Sequence, residues 1–141
     1  MTPILIDTNV VLDIALKREP FFTTAKAVFE KIEDREIQGY ITASAVTDIF
    51  YISSKQKGKE EAKDFLINLL LIVEVIGVSR ETIVTALHSD LKDFEDAVQV
   101  AAANENDVKV ILTRNVKDFK ESGLKILTPP NLIDFLDNHK K

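Results

Sequence analysis

Ile4-Leu5-Ile6-Asp7-Thr8-Asn9-Val10-Val11-Leu12-Asp13 is the stretch on which the fold turns. Its first three residues are wholly apolar and mostly β-branched, too short a run for a helix, and read as a strand buried on both faces. Asp7, Thr8 and Asn9 are all favoured at helix N-caps, and the apolar residues from Val10 to Leu16 follow as a helix. A buried strand that ends on an acid and leads straight into a helix is the opening of a βα unit in a parallel sheet.

The same alternation runs outward from this stretch. Further short apolar runs lie at Tyr40-Ile41, Val73–Val78, Val110–Leu112 and Lys125–Leu127, and we read each as a strand. Helical patterns separate them, over Thr24–Arg35, Ser44–Ser54, Lys59–Leu70, Glu81–Leu87, Phe94–Asn104 and Pro130–Asn138. Ala25, Val28, Phe29 and Ile32 share one face of the second helix. The expected architecture is a three-layer α/β/α sandwich around a central, mostly parallel sheet of about five strands. The chain reads as one domain over residues 1–141, with a frayed tail from Asn138 to Lys141.

Composition narrows the chemistry. Of the 141 residues, 45% are hydrophobic and 29% charged, which is ordinary for a globular core. The absence of cysteine removes disulfides, thiolate-bound zinc, iron–sulfur clusters and thiol catalysis together. Two histidines, His88 and His139, leave little for an imidazole cage. The first residues lack a basic region and reach Asp7 too soon for a signal peptide, and no apolar run approaches the roughly 18 residues of a membrane span. The expectation is a soluble, cytoplasmic protein without a membrane partner. A net charge of −5 opposes non-specific nucleic-acid binding, but acids gathered round a cation form a neutralised site once it is bound.

In open parallel sheets, ligands bind beyond the carboxyl ends of the strands, so the residues there carry the functional reading. Asp7 is either a helix cap or a site acid. Asp48 falls between Tyr51 and Ile52 on the wheel of its helix, beside the buried face set by Ala45, Ile49 and Ile52. It is either held by a lysine or backbone donor or placed for function, because Asp has poor propensity in a helix interior. Asp93-Phe94-Glu95-Asp96 opens an almost wholly apolar helix. Acids in a first turn complement the helix dipole, and Asp93 has the spacing to cap; Asp96, further along, is free to project into a cleft. After the fourth strand, Asn115 and Asp118 are turn and cap residues or share the edge with Asp7. Carboxylates converging on one edge repel unless a cation neutralises them, and hard oxygen donors select Mg²⁺ or Mn²⁺.

The motifs Ile4–Asp13, Ser44-Ala45-Val46-Thr47-Asp48, Asp93-Phe94-Glu95-Asp96-Ala97 and Leu112-Thr113-Arg114-Asn115-Val116-Lys117-Asp118-Phe119 resemble, in order and spacing, the PIN-domain family of metal-dependent ribonucleases, which includes VapC-like toxins. The resemblance runs over essentially the whole chain. It implies a Mg²⁺- or Mn²⁺-dependent endoribonuclease leaving 5′-phosphate and 3′-hydroxyl ends, with Asp7, Asp48 and Asp96 as the three principal acids and Asn115 at the fourth, often acidic, position. Two departures stand out: Asp48 replaces a common Glu, and Asn115 is neutral. Asp93 and Asp118 are candidates to restore the missing charge, and Thr113 to orient a carboxylate or water. Arg114 and Lys117 are candidates for RNA backbone contacts. The resemblance further implies a small antitoxin whose peptide blocks the acidic cleft, and a homodimer; Phe21-Phe22 and Phe50-Tyr51 serve such contacts or belong to the core.

Other functions fit less well. A haloacid-dehalogenase-type phosphatase needs an acid two residues after the first, where this chain has Asn9, and a phospho-receiver needs its Asp after the third strand, where Ser79-Arg80 stands. No glycine-rich phosphate loop is present. The remaining alternative is a PIN-like domain with weakened catalysis that binds RNA or protein, favoured by Asp48 and Asn115.

Overall fold

The structure, a computed structural model, describes residues 2–138. Five strands, β1 (Thr2–Ile6), β2 (Ile37–Thr42), β3 (Val73–Ile76), β4 (Val110–Leu112) and β5 (Lys125–Leu127), form one sheet in the order β3-β2-β1-β4-β5. Every pairing is parallel. Seven α-helices among the described residues complete it: α1 (Thr8–Ala15), α2 (Phe21–Glu33), α3 (Ala43–Lys57), α4 (Lys59–Leu69), α5 (Arg80–Leu87), α6 (Phe94–Glu105) and α7 (Pro129–Asn138). The expected three-layer α/β/α architecture is the one observed. Asn138 closes α7, while the rest of the expected tail, 139–141, lies outside the described residues.

Alternation along β1 sorts the two layers. Ile4 and Ile6 face a core built with Val10, Val11, Val28, Ile32, Ile49, Leu66 and Leu132, and thus α1–α4 and α7. Leu5 faces the opposite side, with Ile111, Val100, Ala102, Ala103 and Phe119. Alanine and valine let α6 lie close to the sheet, and α5 closes over its outer face through Ala86, Ala97 and Val98.

The strand order explains where a cleft opens. From β1 the chain moves through β2 to β3 with its connecting helices on one face, then crosses to β4 and β5 with α5 and α6 on the other. Right-handed crossovers demand that change of face when direction reverses. The reversal separates the helices that follow β1 from those that precede β4, which is where α/β sheets bind ligands. Asp7 N–H donates to Leu112 O at 2.9 Å and Thr113 N–H to Leu127 O at 2.9 Å, so the ladders continue just past the strand ends and fix both residues.

Two differences from the sequence reading have local causes. Strand β2 begins at Ile37, earlier than the Tyr40-Ile41 run. Gly39 is there for packing: a Cβ would meet Ile32 Cδ1 at 3.0 Å, Ile6 Cδ1 at 3.1 Å and Val73 Cγ1 at 3.2 Å. The segment after β4 contains a short 3₁₀ turn, Val116–Phe119, anchored by the fully buried Phe119. Phe119→Ala is expected to cost about 3–5 kcal/mol in urea denaturation, the usual loss for a deleted core phenyl ring. It should loosen Asp118 with it.

Candidate active site

Asp7 occupies the N-cap position of α1, yet its side chain makes no capping bond. The carboxylate instead turns toward the α6 side of the sheet. Thr113 Oγ1 donates to Asp7 Oδ2 at 2.8 Å, and Gln99 Nε2 donates to Oδ1 at 3.1 Å. All three side chains are buried. Burial pushes the Asp7 carboxyl above its usual range, while the bonds from Gln99 and Thr113 and the charge of Arg114 oppose that rise. Of the two readings open in the sequence, the cap is thus the one the geometry does not use.

The first turn of α6 divides its acids between tasks. Asp93 is the cap, its Oδ1 accepting from the Asp96 N–H at 3.0 Å. That bond leaves the Asp96 side chain uncommitted, half-buried at the cleft. Desolvation first, then the charges of Asp93, Asp7, Asp118 and Glu95, push its carboxyl up to about 7. Glu95 is likewise pushed up to about 7, by desolvation and by Asp48, whose carboxylate it also meets in a hydrogen bond; Thr8 Oγ1 donates to Glu95 Oε1 at 3.2 Å and opposes the rise. Helix α3 brings Asp48 there because Thr42 caps it, accepting from Ala45 N–H at 3.1 Å and fixing its start against the end of β2.

These residues line one cleft of about 280 Å³, with Asp7, Asp48, Asp93, Glu95, Asp96, Asn115 and Asp118 in its wall alongside the apolar Leu12 and Ile52. Every acid expected from the sequence is present, and Asn115 and Asp118 enter from the segment after β4. Thr113 acts on Asp7 and also accepts from Asn115 N–H at 3.0 Å, so one hydroxyl links the first and fourth positions.

Arg114, a candidate for RNA backbone contact, is engaged within the fold. Arg114 does not face the cleft as a free cation: its Nε donates to Asp13 Oδ2 at 2.7 Å, its Nη2 to Asp13 Oδ1 at 3.2 Å, and its guanidinium stacks on Phe21 3.9 Å from the ring centroid. Asp13 is only 1% exposed and must be paired, which is why the planar fork is committed here. The pair braces α1 and α2 against the loop that carries Asn115. Lys117 stays exposed beside the adjoining acidic hollow.

Two residues escaped the sequence reading. Glu95 was absorbed into the dipole explanation of a first turn. Gln99 is the one polar residue between Ala97 and Ala103, one turn beyond Asp96, and that isolation in an apolar run was the available signal.

Residues 3–117 match the family model described as a PIN domain. The chain belongs to the PIN-domain family. Among solved structures, VapBC2 from Rickettsia felis bound to a promoter DNA fragment is similar, at 18% identity and a TM-score of 0.68 over 90% of this chain and 98% of that one. A toxin–antitoxin complex from Klebsiella pneumoniae matches at 22% identity and 0.65, over 89% and 96%. VapC20 from Mycobacterium tuberculosis, described as a Sarcin-Ricin loop cleaving toxin, matches at 16% identity and 0.68, over 86% and 95%. Among curated proteins, none matches the chain.

For this PIN domain the donor chemistry suits a hard divalent cation: carboxylate and amide oxygens, with two carboxyls raised to about 7 by desolvation and then by the neighbouring acids. Among the described residues no three acids or imidazoles are already grouped as a ready-made cation site. The donors therefore fit in kind and encircle the cleft, with Asp7 alone rigidly held.

The raised carboxyls have a definite consequence for stability. Because Asp96 and Glu95 bind protons more tightly folded than unfolded, their contribution is present below about pH 4 and is lost as pH rises toward 7. In chelator, Asp96→Asn should melt a few degrees above the parent at pH 7.5, and the gap should close by pH 4. Millimolar Mn²⁺ at pH 7.5 should raise the parent's melting temperature and raise that of Asp96→Asn much less. Identical melting curves with and without Mn²⁺ would count against a cation site.

Proposed function

We propose that this PIN domain is a divalent-cation-dependent endoribonuclease of the VapC type, the toxin of a pair whose partner is a small antitoxin. The supporting observation is the meeting of Asp7, Asp48, Glu95 and Asp96 at the β1/β4 switch, with Glu95 and Asp96 raised to about 7 by desolvation and by their acidic neighbours. The similar structures described as VapBC and toxin–antitoxin complexes support the antitoxin, and the toxin described as cleaving the Sarcin-Ricin loop supports RNA as substrate.

Asp7, Asp96 and Asp48 would hold Mg²⁺ or Mn²⁺, with the Asn115 amide oxygen at the fourth position. A divalent cation there supplies charge to the scissile phosphate and lowers the pKa of water. Asp7 is the fixed point: Gln99 and Thr113 each occupy one of its oxygens, preventing rotation and leaving the remaining lone pairs for the cation. Glu95, with its carboxyl near 7 and bonded to Asp48, is suited to take up or release a proton around neutral pH. We further propose that the protein works in the cytoplasm as a homodimer.

Purified protein with Mn²⁺ is expected to cleave single-stranded RNA, EDTA to stop it, and Asp7→Asn to abolish it with the fold intact by circular dichroism. Cleavage by Asp7→Asn at the parent's rate would place the activity elsewhere. The fourth position is tested separately. If Asn115 is a ligand, Asn115→Asp should lower the Mn²⁺ concentration for half-maximal cleavage several-fold. If Asp118 already supplies that charge, Asn115→Asp should leave the Mn²⁺ requirement unchanged and Asp118→Asn should abolish activity.

A further inference from the structure

Helix α3 carries more than Asp48. Taking 100° per residue, Asp48, Tyr51, Ile52 and Lys55 lie within one stripe, bordering the buried face of Ala45, Ile49 and Ser53. Asp48 and Ile52 line the acidic cleft, and the stripe continues from them toward the C-terminus of the helix. Tyr51 is 60% exposed, the most exposed aromatic ring among the described residues. The Lys55 ammonium lies 4.4 Å from its centroid and has no carboxylate partner among the described residues. Phe50, the neighbouring aromatic, packs against the core instead.

Tyr51 has no core to fill, and its exposed ring, with Lys55 beside it, offers a surface on which a planar group can stack. An unpaired cation beside that ring, on a protein of net charge −5, favours an occupant that is both aromatic and anionic. Continuity with the acid cleft points the same way, because a strand with its phosphate at Asp7 and Asp48 must leave the cleft along one wall.

We propose that Tyr51 and Lys55 form a subsite for single-stranded RNA, the ring stacking a nucleobase next to the scissile phosphate and the ammonium pairing with the adjoining phosphate. This inference rests on the nuclease reading above and adds to it a requirement for unpaired bases, since a duplex keeps its base faces stacked. The subsite serves affinity and not chemistry.

The test uses the full chain carrying Asp7→Asn, so that RNA is bound without being cut. Because the chain has no tryptophan and only two tyrosines, Tyr40 and Tyr51, tyrosine emission reports on the ring directly. Polyuridylate should quench it, and Tyr51→Phe should remove the quenching while keeping the affinity. Tyr51→Ala should weaken a short fluorescein-labelled single-stranded RNA of mixed sequence about tenfold, within the range for one lost stack. Lys55→Ala should reduce the slope of log affinity against log salt by about 0.7, the value for one phosphate on a single strand, and Lys55→Arg should preserve it. In the cleaving protein, Tyr51→Ala should raise KM and leave kcat, while Ile67→Ala on the exposed side of α4 changes neither. If the parent cleaves RNA but Tyr51→Ala binds it as tightly, the subsite is wrong and the nuclease reading stands. A parent that neither binds nor cuts RNA overturns both. A change in sedimentation for Tyr51→Ala with RNA affinity intact overturns the subsite in favour of a second copy of the chain covering the stripe.

Discussion

A carboxylate 3% exposed at the end of a central strand is the constraint around which this molecule is arranged. Taken from water without partners, the Asp7 charge would cost several kcal/mol or be quenched by a proton. The fold answers with donors from two directions: Gln99 from a helix laid against one face of the sheet, and Thr113 from the next strand. Both depend on the crossing that sends the chain from β3 back past β1 to β4. Were β4 elsewhere in the order, Thr113 would not lie beside Asp7. The alanines of α6 have the same justification, since bulkier side chains would lift Gln99 away from the sheet.

The surrounding acids are held differently. Asp48 and Asp96 are half-buried and Glu95 is exposed, and none receives a side-chain donor set like that of Asp7. Desolvation first, and then the charge of neighbouring acids, raises the Glu95 and Asp96 carboxyls to about 7. Asp13, equally buried, shows the alternative use of a carboxylate: a bidentate arginine satisfies it, and it becomes a brace. What separates the two buried aspartates is the partner. Neutral donors leave Asp7 with charge to offer, whereas a guanidinium leaves Asp13 with none.

Much of this could be read from the sequence because hydrophobic pattern and strand-end position are local signals. Three apolar residues, an acid and a helix sufficed for β1 and Asp7; the wheel of α3 put Asp48 beside the buried face; the spacing of Asp93 and Asp96 correctly separated a cap from a projecting acid. The failures are of another kind. Glu95 satisfies a local rule so well that its second role, against Asp48 on a different helix, leaves no trace in its neighbours. Arg114 sits in a motif that reads as phosphate contact, and only the fold reveals that Asp13, 101 positions away, claims it. The start of β2 at Ile37 goes unread because the side chains that require glycine at Gly39, Ile6, Ile32 and Val73, come from three separate elements. Local pattern thus places an acid in the fold but does not name its partner.

The contrast between one fixed acid and several uncommitted ones bears on how such a cleft functions. A ring of carboxylates all locked in place would concentrate unscreened charge and destabilise the empty fold, as like charges at short range must. Locking only Asp7 confines that cost to a single group whose donors compensate it. Glu95 and Asp96, whose carboxyls desolvation and neighbouring charge raise to about 7, relieve their repulsion by holding protons that are exchangeable at neutral pH. The positive charge that the site lacks is thus supplied by protons, and under the proposed function a divalent cation would take their place. Most of the geometric precision the site needs resides in the three buried side chains of Asp7, Gln99 and Thr113.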